Sequence, residues 1–188
     1  IQGFTAHLRW PGYYNGAPNG LWYATPEQMR ELYELALGRD LLVHTHTNGD
    51  EATALMLDML ELALNKHPRP DHRFTLQHCQ LAVTAQFRRM KKLGACVNLF
   101  SNHLFYWGEE HYAKTVGPER AMRMNACATA LREGVPMAIH SDAPVTPLGP
   151  FFTAWCAVNR RTPTGRVLGE AERISVEDAL RTITVGAA

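Results

Sequence analysis

Three side chains with the chemistry of metal ligands stand at the carboxyl ends of apolar runs: His46, His78 and Asp142. Two neutral imidazoles and a carboxylate suit a borderline cation such as zinc, which binds nitrogen and oxygen ligands at about 2.0–2.2 Å. The carboxylate of Asp142 can also serve as the general base that takes a proton from metal-bound water. Spacing alone leaves a second interpretation open, in which these groups are buried and satisfied by hydrogen bonds within the protein.

The elements that must position these residues alternate between strand and helix. Short apolar runs predict strands at residues 41–46, 74–79, 95–100 and 135–140. Capping residues and helical periodicity predict helices that begin at Thr25, Asp50 and Ser175 and others that cover residues 84–93, 118–133 and 150–160. This alternation is typical of parallel strands joined by right-handed crossovers, whose carboxyl ends meet at one edge. The three candidate ligands are therefore expected to lie close together.

Four strand–helix units make half of an eight-stranded barrel, which needs about 250 residues in full. We therefore predict an α/β fold that is the second half of a (β/α)8 TIM barrel, with residues 1–188 as one domain. With 46% apolar residues, the chain can bury a sizeable core. It contains neither a GxGxxG motif nor a P-loop, which disfavours the nucleotide-binding α/β folds.

Charge and cysteine usage argue against several other classes of protein. The net charge is +1 and the charged residues are spread along the chain, so the sequence has no basic stripe for nucleic acid. Because no apolar run reaches membrane-spanning length, we expect neither nucleic acid nor a membrane as a partner. Four well-separated cysteines without a CxxC pair favour reduced thiols and a cytoplasmic location. The chain begins at Ile1 rather than Met, so a signal peptide cannot be assessed.

At the same residues the chain resembles a known family. HTNGD at residues 46–50, LQHCQ at residues 76–80 and HSDAPV at residues 140–145 look like successive motifs of the amidohydrolase superfamily. They are most similar to its YtcJ-like branch, which includes N-substituted formamide deformylases. The opening IQGFTA at residues 1–6 and the closing stretch at residues 177–188 resemble the same branch. The resemblance therefore covers nearly the whole chain.

The resemblance implies a (β/α)8 barrel with one or two divalent metals, zinc being expected, at its mouth. His46 and His78 would hold one metal, and Asp142 would bind the other and shuttle a proton. The remaining ligands, an HxH on the first strand and a lysine or acidic residue on the fourth, would lie upstream of this chain. The implied reaction is hydrolysis of a non-peptide C–N bond in a small-molecule amide. Asp142 would receive a proton from the attacking water and deliver it to the departing amine.

Further histidines near the strand ends are candidates for supporting roles. His44 and His140 lie one layer below His46 and Asp142, and for both we favour core hydrogen bonds over coordination. His103 follows the third strand, where the resemblance implies a loop histidine that faces the substrate.

Other polar and aromatic residues are weaker candidates. Asn48 is a candidate substrate contact, and Asn48 and Asp50 can orient His46, although a helix N-cap role explains Asp50 equally well. Arg160 can hold a substrate anion, although a solvated helix end is the favoured explanation. Aromatic residues within residues 10–23 and 105–112 indicate a lid or a pocket wall for an apolar group, with a loop packed on the surface as the alternative.

The sequence leaves three functions from different classes to be weighed. The leading hypothesis is a metal-dependent amidohydrolase, and its alternative is a catalytically inactive, barrel-derived binding or regulatory protein. A complete ligand set upstream, with stoichiometric metal, would favour the enzyme. A phosphate-binding barrel enzyme without metal is the weakest, because no Gly-rich loop follows the last strands. A half barrel would also expose two parallel strand edges, which favours a homo-oligomer or another partner.

Overall fold

Four short parallel strands form the centre of the structure, a computed structural model that describes residues 1–187. The strands are β1 (His44–Thr47), β2 (Thr75–His78), β3 (Cys96–Leu99) and β4 (Met137–Ile139), and they pair in the order β1-β2-β3-β4. Every pairing between neighbours is parallel. The predicted α/β architecture with parallel strands is therefore confirmed, although each strand is shorter than the apolar run that predicts it.

Helices precede, connect and follow the strands. Helix α1 (Pro26–Gly38) precedes β1, and α2 (Asp50–Lys66) and α3 (Thr84–Leu93) follow β1 and β2. Four short helices and a π-helical turn lie between β3 and β4: α4 (His103–Tyr106), α5 (Gly108–Glu110), the turn His111–Thr115, α6 (Gly117–Arg123) and α7 (Cys127–Arg132). After β4 come α8 (Pro150–Asn159) and α9 (Val176–Thr182), with 3-10 turns at Glu170–Glu172 and Val185–Ala187.

Local capping interactions set several of the helix ends. The Thr25 hydroxyl accepts a hydrogen bond from the Gln28 amide (3.2 Å), while the Gln28 side chain accepts one from the Thr25 amide (2.9 Å). Gly94 ends α3 with a φ of 75°, a left-handed conformation that glycine adopts without a steric penalty. The Ser175 hydroxyl caps α9 by accepting from the Asp178 amide (3.0 Å). These three ends lie where the sequence predicts them.

The two faces of the sheet differ in polarity. Leu76, Val97 and Met137 share one register row, are buried, and belong to the main hydrophobic core with Leu57 of α2 and Phe87 of α3. The neighbouring row faces the other way because side chains alternate along a strand. Its members are only partly buried or exposed: His46, Gln77, Asn98 and Ala138. The sheet thus presents a partly polar face on which a site can form.

The region between β3 and β4 departs from the prediction in two places. The single helix predicted at residues 118–133 is two helices, interrupted near Asn125. Asn125 has a φ of 49°, and its amide donates to the carbonyl oxygen of Gln80 (2.8 Å), so a pairing distant in sequence breaks the helix. The aromatic stretch at residues 105–112, for which the sequence indicates a lid, a pocket wall or a surface loop, is largely helical.

Asp50 also differs from its predicted role as a helix cap. Gly49 occupies the N-cap position of α2, and Asp50 is the first helical residue. The Asp50 carboxylate instead accepts a hydrogen bond from the backbone amide of Arg9 (3.0 Å), which ties the amino-terminal segment to α2.

Among residues 1–187, no helix combines the length and apolar character needed to cross a membrane.

Candidate metal centre

Left-handed backbone conformations set the direction of two candidate ligands. His78 has a φ of 67° and Asp142 a φ of 53°, and such values are uncommon for residues other than glycine. Each costs about 1–3 kcal/mol and persists only where the surroundings impose it, often at functional sites. Side chains alternate along a strand, so regular geometry would place His78 on the same face as Leu76, toward the hydrophobic core. Its ring instead lies among other imidazoles, with centroids 4.5 Å from His46 and 4.9 Å from His140.

The residue after His78, Cys79, turns into the core. Cys79 is fully buried, its sulfur lies 3.2 Å from the Thr47 hydroxyl, and burial raises the pKa of its thiol to about 12. A neutral buried thiol is a poor metal ligand because coordination requires the thiolate. All four cysteines are free, and three of them are buried.

Three groups converge closely enough to hold one cation: His78, His140 and Asp142. Each offers one ligand atom, and these atoms all lie within 4.8 Å of one another. Within residues 1–187, Nδ1 of His78 and Nε2 of His140 are buried without a hydrogen-bond partner. Unpaired buried nitrogens are costly unless another group satisfies them, and a cation would do so. Two imidazoles and a carboxylate are also the donors that zinc accepts, so the residues fit a divalent metal.

The electrostatic surroundings keep these imidazoles neutral. Burial, reinforced by the neighbouring His46 and His140, lowers the pKa of His78 to about 3. Burial also lowers the pKa of His140 and that of His46, and in both cases the nearby Asp142 carboxylate opposes the shift without cancelling it. Neutral imidazole is the form that coordinates a metal, so the nitrogen lone pairs remain available at neutral pH.

The structure therefore brings together two of the three predicted ligands and adds a third group. His46 lies at the rim of the cluster, and its Nε2 is 3.2 Å from the side-chain nitrogen of Asn48. The favoured prediction of a core hydrogen bond for His140 is not met at Nε2, which is buried without a hydrogen-bond partner within residues 1–187, and coordination by His140 stays a prediction. The i,i+2 spacing of His140 and Asp142 is the signal that could have indicated their proximity. His44 does make a hydrogen bond, to the Gln77 amide nitrogen (2.6 Å), but it is exposed rather than in the core.

His103 borders the same cavity as the candidate ligands. This cavity has a volume of about 330 Å³, and His46, His78 and Asp142 also line it. The His103 ring is buried against Phe100 with centroids 4.0 Å apart, and burial together with nearby His111 lowers its pKa well below the usual value. Its Nδ1 has no partner within residues 1–187. Contact between His103 and substrate stays a prediction.

Arg160 requires a correction, because its side chain is fully buried. Its guanidinium donates to the carbonyl oxygens of Leu168 (2.6 Å), Met124 (2.7 Å) and Asn125 (2.8 Å). Burial lowers the pKa of Arg160 to about 10. The solvated helix end favoured from the sequence is therefore wrong. The substrate-binding role is not supported either, because these three carbonyls occupy the guanidinium.

Comparison with known proteins relates this geometry to a family. The profile of the amidohydrolase family matches residues 2–188. Protein LONG AFTER FAR-RED 3 of Arabidopsis thaliana is 31% identical over 179 residues, which cover 93% of this chain and 30% of that protein. N-substituted formamide deformylase of Arthrobacter pascens is 30% identical over 165 residues, which cover 84% of this chain and 30% of that protein. The chain thus spans about 30% of the length of these curated relatives.

A solved structure agrees with the sequence relatives. An uncharacterized metal-dependent hydrolase from Pyrococcus furiosus superposes with a TM-score of 0.83 and 26% identity, over 100% of this chain and 37% of that one. The resemblance found at the three sequence motifs is confirmed by the profile match and by these relatives. On these grounds, the chain belongs to the amidohydrolase family.

Proposed function

We propose that this chain is part of a metal-dependent amidohydrolase that cleaves a non-peptide C–N bond, of the amide or formamide type, in a small molecule. The observation that carries the proposal is the convergence of His78, His140 and Asp142, with unpartnered buried nitrogens on both imidazoles. The name of the related formamide deformylase supports the C–N bond, and the related metal-dependent hydrolase supports the metal. Zinc is the metal that we propose, because the donors are nitrogen and oxygen atoms.

We also propose that the four strands are the second half of a (β/α)8 barrel. Within residues 1–187, β1 and β4 each have a partner strand on one side only. This chain aligns with 37% of the length of the metal-dependent hydrolase, so the remaining length of that protein is sufficient for the other barrel strands. In this proposal the remaining metal ligands belong to a preceding part of the same protein, and they share the mouth of the barrel with His46 and His78.

Each residue of the cluster has a separate task in the proposed reaction. A bound divalent metal would lower the pKa of water and polarise the scissile carbonyl. The neutral imidazoles of His78 and His140 would hold that metal together with Asp142, through nitrogens that have no other partner within residues 1–187. Asp142, partly exposed at the cavity wall, takes the proton from the attacking water and transfers it to the departing nitrogen. His103, buried in the wall, offers a polar contact that orients the substrate.

Replacing Asp142 with asparagine in the full-length protein tests this assignment. Asparagine keeps the size of the side chain but cannot accept the proton, so we expect kcat to fall by about 10²–10⁴-fold while the circular dichroism spectrum stays unchanged. Asp71→Asn is the matched control, since Asp71 pairs with exposed Arg73 away from the cavity. Amide hydrolysis should be assayed together with metal content.

Two outcomes would overturn the proposal. Unchanged turnover in Asp142→Asn would show that Asp142 does not transfer the proton. Stoichiometric metal without hydrolysis of any amide in the wild-type protein would favour a barrel-derived binding or regulatory protein instead.

A further inference from the structure

A second cavity adjoins the candidate metal centre. It has a volume of about 170 Å³ and lies between the amino-terminal segment, residues 21–24 and the first turns of α2. Thr5, His46 and Asn48 line both this cavity and the one that contains the metal-ligand cluster. The two spaces are therefore neighbours, and His46 stands at their boundary.

The walls of this second cavity are mostly apolar. Trp22, Met29, Ala52 and Met56 contribute to them. The ring of His7 stacks on Trp22 with centroids 4.2 Å apart and planes at 21°, so an aromatic pair forms one side. Three polar lining residues, Thr5, His46 and Asn48, stand at the boundary with the metal-ligand cluster. An apolar space with polar groups at one end is typical of a ligand site.

Close backbone contacts build this cavity. A Cβ on Gly49 would lie 1.8 Å from the carbonyl oxygen of His7, so the amino-terminal segment rests directly on the turn that follows β1. On its other side the segment is held by Asn19, whose side chain accepts from the Leu8 amide (2.8 Å) and donates to the Leu8 carbonyl (2.7 Å). The hydrogen bond from the Arg9 amide to Asp50 adds a third attachment. The wall is thus fixed on α2 and β1.

We propose that this cavity receives an apolar substituent of the amide substrate, about the size of one aromatic ring. The proposal rests on the proposed function, because the substituent must extend from a C–N bond held at the neighbouring cluster. The volume is below the roughly 300–1,000 Å³ of a complete ligand pocket, so the cavity holds one group rather than a whole substrate. An apolar cavity of about 150 Å³ accommodates benzene, which sets the size of that group.

The test compares acetamides that differ only in the substituent on nitrogen: methyl, benzyl and 1-naphthylmethyl. In the full-length protein, we expect kcat/KM for the benzyl compound to exceed that for the methyl compound by about 10-fold or more, because burial of a ring is favourable. The naphthylmethyl compound should fall below the benzyl compound, since two fused rings exceed the space.

Variants of the cavity wall then locate the effect. Ala52→Phe fills the cavity and should reduce the benzyl rate to the level of the methyl rate, leaving the methyl rate within about twofold. Met56→Ala enlarges the cavity and should shift the preference toward naphthylmethyl, a gain that a misfolded protein cannot produce. Trp10→Ala is the control, because Trp10 is 92% exposed and does not line this cavity. Equal rates for all three compounds, or equal losses for all three in Ala52→Phe, would overturn the proposal.

A binding measurement separates this proposal from the proposed function. Benzyl alcohol carries the ring without a C–N bond, and its binding can be followed by ligand-observed nuclear magnetic resonance. Binding that Ala52→Phe weakens at least 10-fold, in a protein that hydrolyses no amide, would retain the ring site and reject the amidohydrolase reaction. Hydrolysis of the amides without any binding of benzyl alcohol would retain the amidohydrolase reaction and reject the ring site.

Discussion

Replacing Arg160 with methionine would show whether this residue stabilises the fold or binds substrate. Methionine retains much of the aliphatic volume but donates no hydrogen bonds, so the carbonyls of Met124, Asn125 and Leu168 lose a charged partner. A hydrogen bond to a charged group contributes about 1.5–3 kcal/mol, and three such bonds give roughly 4.5–9 kcal/mol.

The cost of burying the charge reduces this figure. Burial lowers the pKa of Arg160 from 12.5 to about 10, which corresponds to a penalty of about 3 kcal/mol on the charged form. The free energy of unfolding should therefore decrease by about 2–6 kcal/mol in Arg160→Met.

Urea unfolding of the full-length protein, followed by circular dichroism, measures the change directly. Arg161→Met is the matched control, because Arg161 is the adjacent residue and its side chain is exposed. We expect the control to change the free energy of unfolding by less than about 0.5 kcal/mol. The reasoning is refuted if Arg160→Met loses less than about 1 kcal/mol while KM for the amide substrate rises, since that result would restore the substrate-binding role.

Three further predictions concern the site and its surroundings. His140→Ala should weaken zinc binding at least 10-fold in equilibrium dialysis, with His44→Ala as the control because His44 is exposed. Full retention of zinc in His140→Ala would show that His140 has a structural role only. Burial lowers the pKa of His111 from 6.5 to about 3, so the unfolded chain binds the proton first and stability is lost as pH falls below about 6.5, by about 1.4 kcal/mol per pH unit. The difference in unfolding free energy between wild type and His111→Gln should consequently shrink from pH 7 to pH 5, and a constant difference would contradict the buried neutral form. Gly49→Ala should destabilise the protein by about 1–3 kcal/mol and accelerate proteolysis within residues 1–24, because its Cβ would overlap the facing backbone. Gly38→Ala, where a Cβ meets nothing within 4 Å, should have little effect, and equal proteolysis of the two variants would disprove the contact.

The architecture was accessible from the sequence because its signals are local. Alternating apolar runs and helical periodicity predicted the parallel sheet, and Thr25, Gly94 and Ser175 marked helix ends through interactions within a few residues. The strand-end positions of His78 and Asp142 likewise placed both in one cluster, since parallel strands end at a common edge.

The missed features depend on contacts between distant parts of the chain. Arginine is seldom fully buried, so no local pattern predicts that Arg160 lies among three backbone carbonyls. The break near Asn125 follows from its pairing with Gln80, which no local window contains. The sequence predicts a core hydrogen bond for His140, because residue type does not reveal the left-handed conformation that turns His78 toward it. Aromatic composition indicates a pocket wall near Trp22, but the position of that wall depends on the close contact between Gly49 and the backbone of His7, which are distant in sequence.

The positive φ angles of His78 and Asp142 set the stability of this chain against the metal site proposed here. Glycine normally destabilises a strand or a helix relative to alanine, yet at these two positions it would relieve the backbone, so glycine variants should be more stable than alanine variants. Selection for thermostability alone would therefore favour removing both side chains. A programme that improves the stability of this chain must hold these two positions fixed and seek its gains elsewhere.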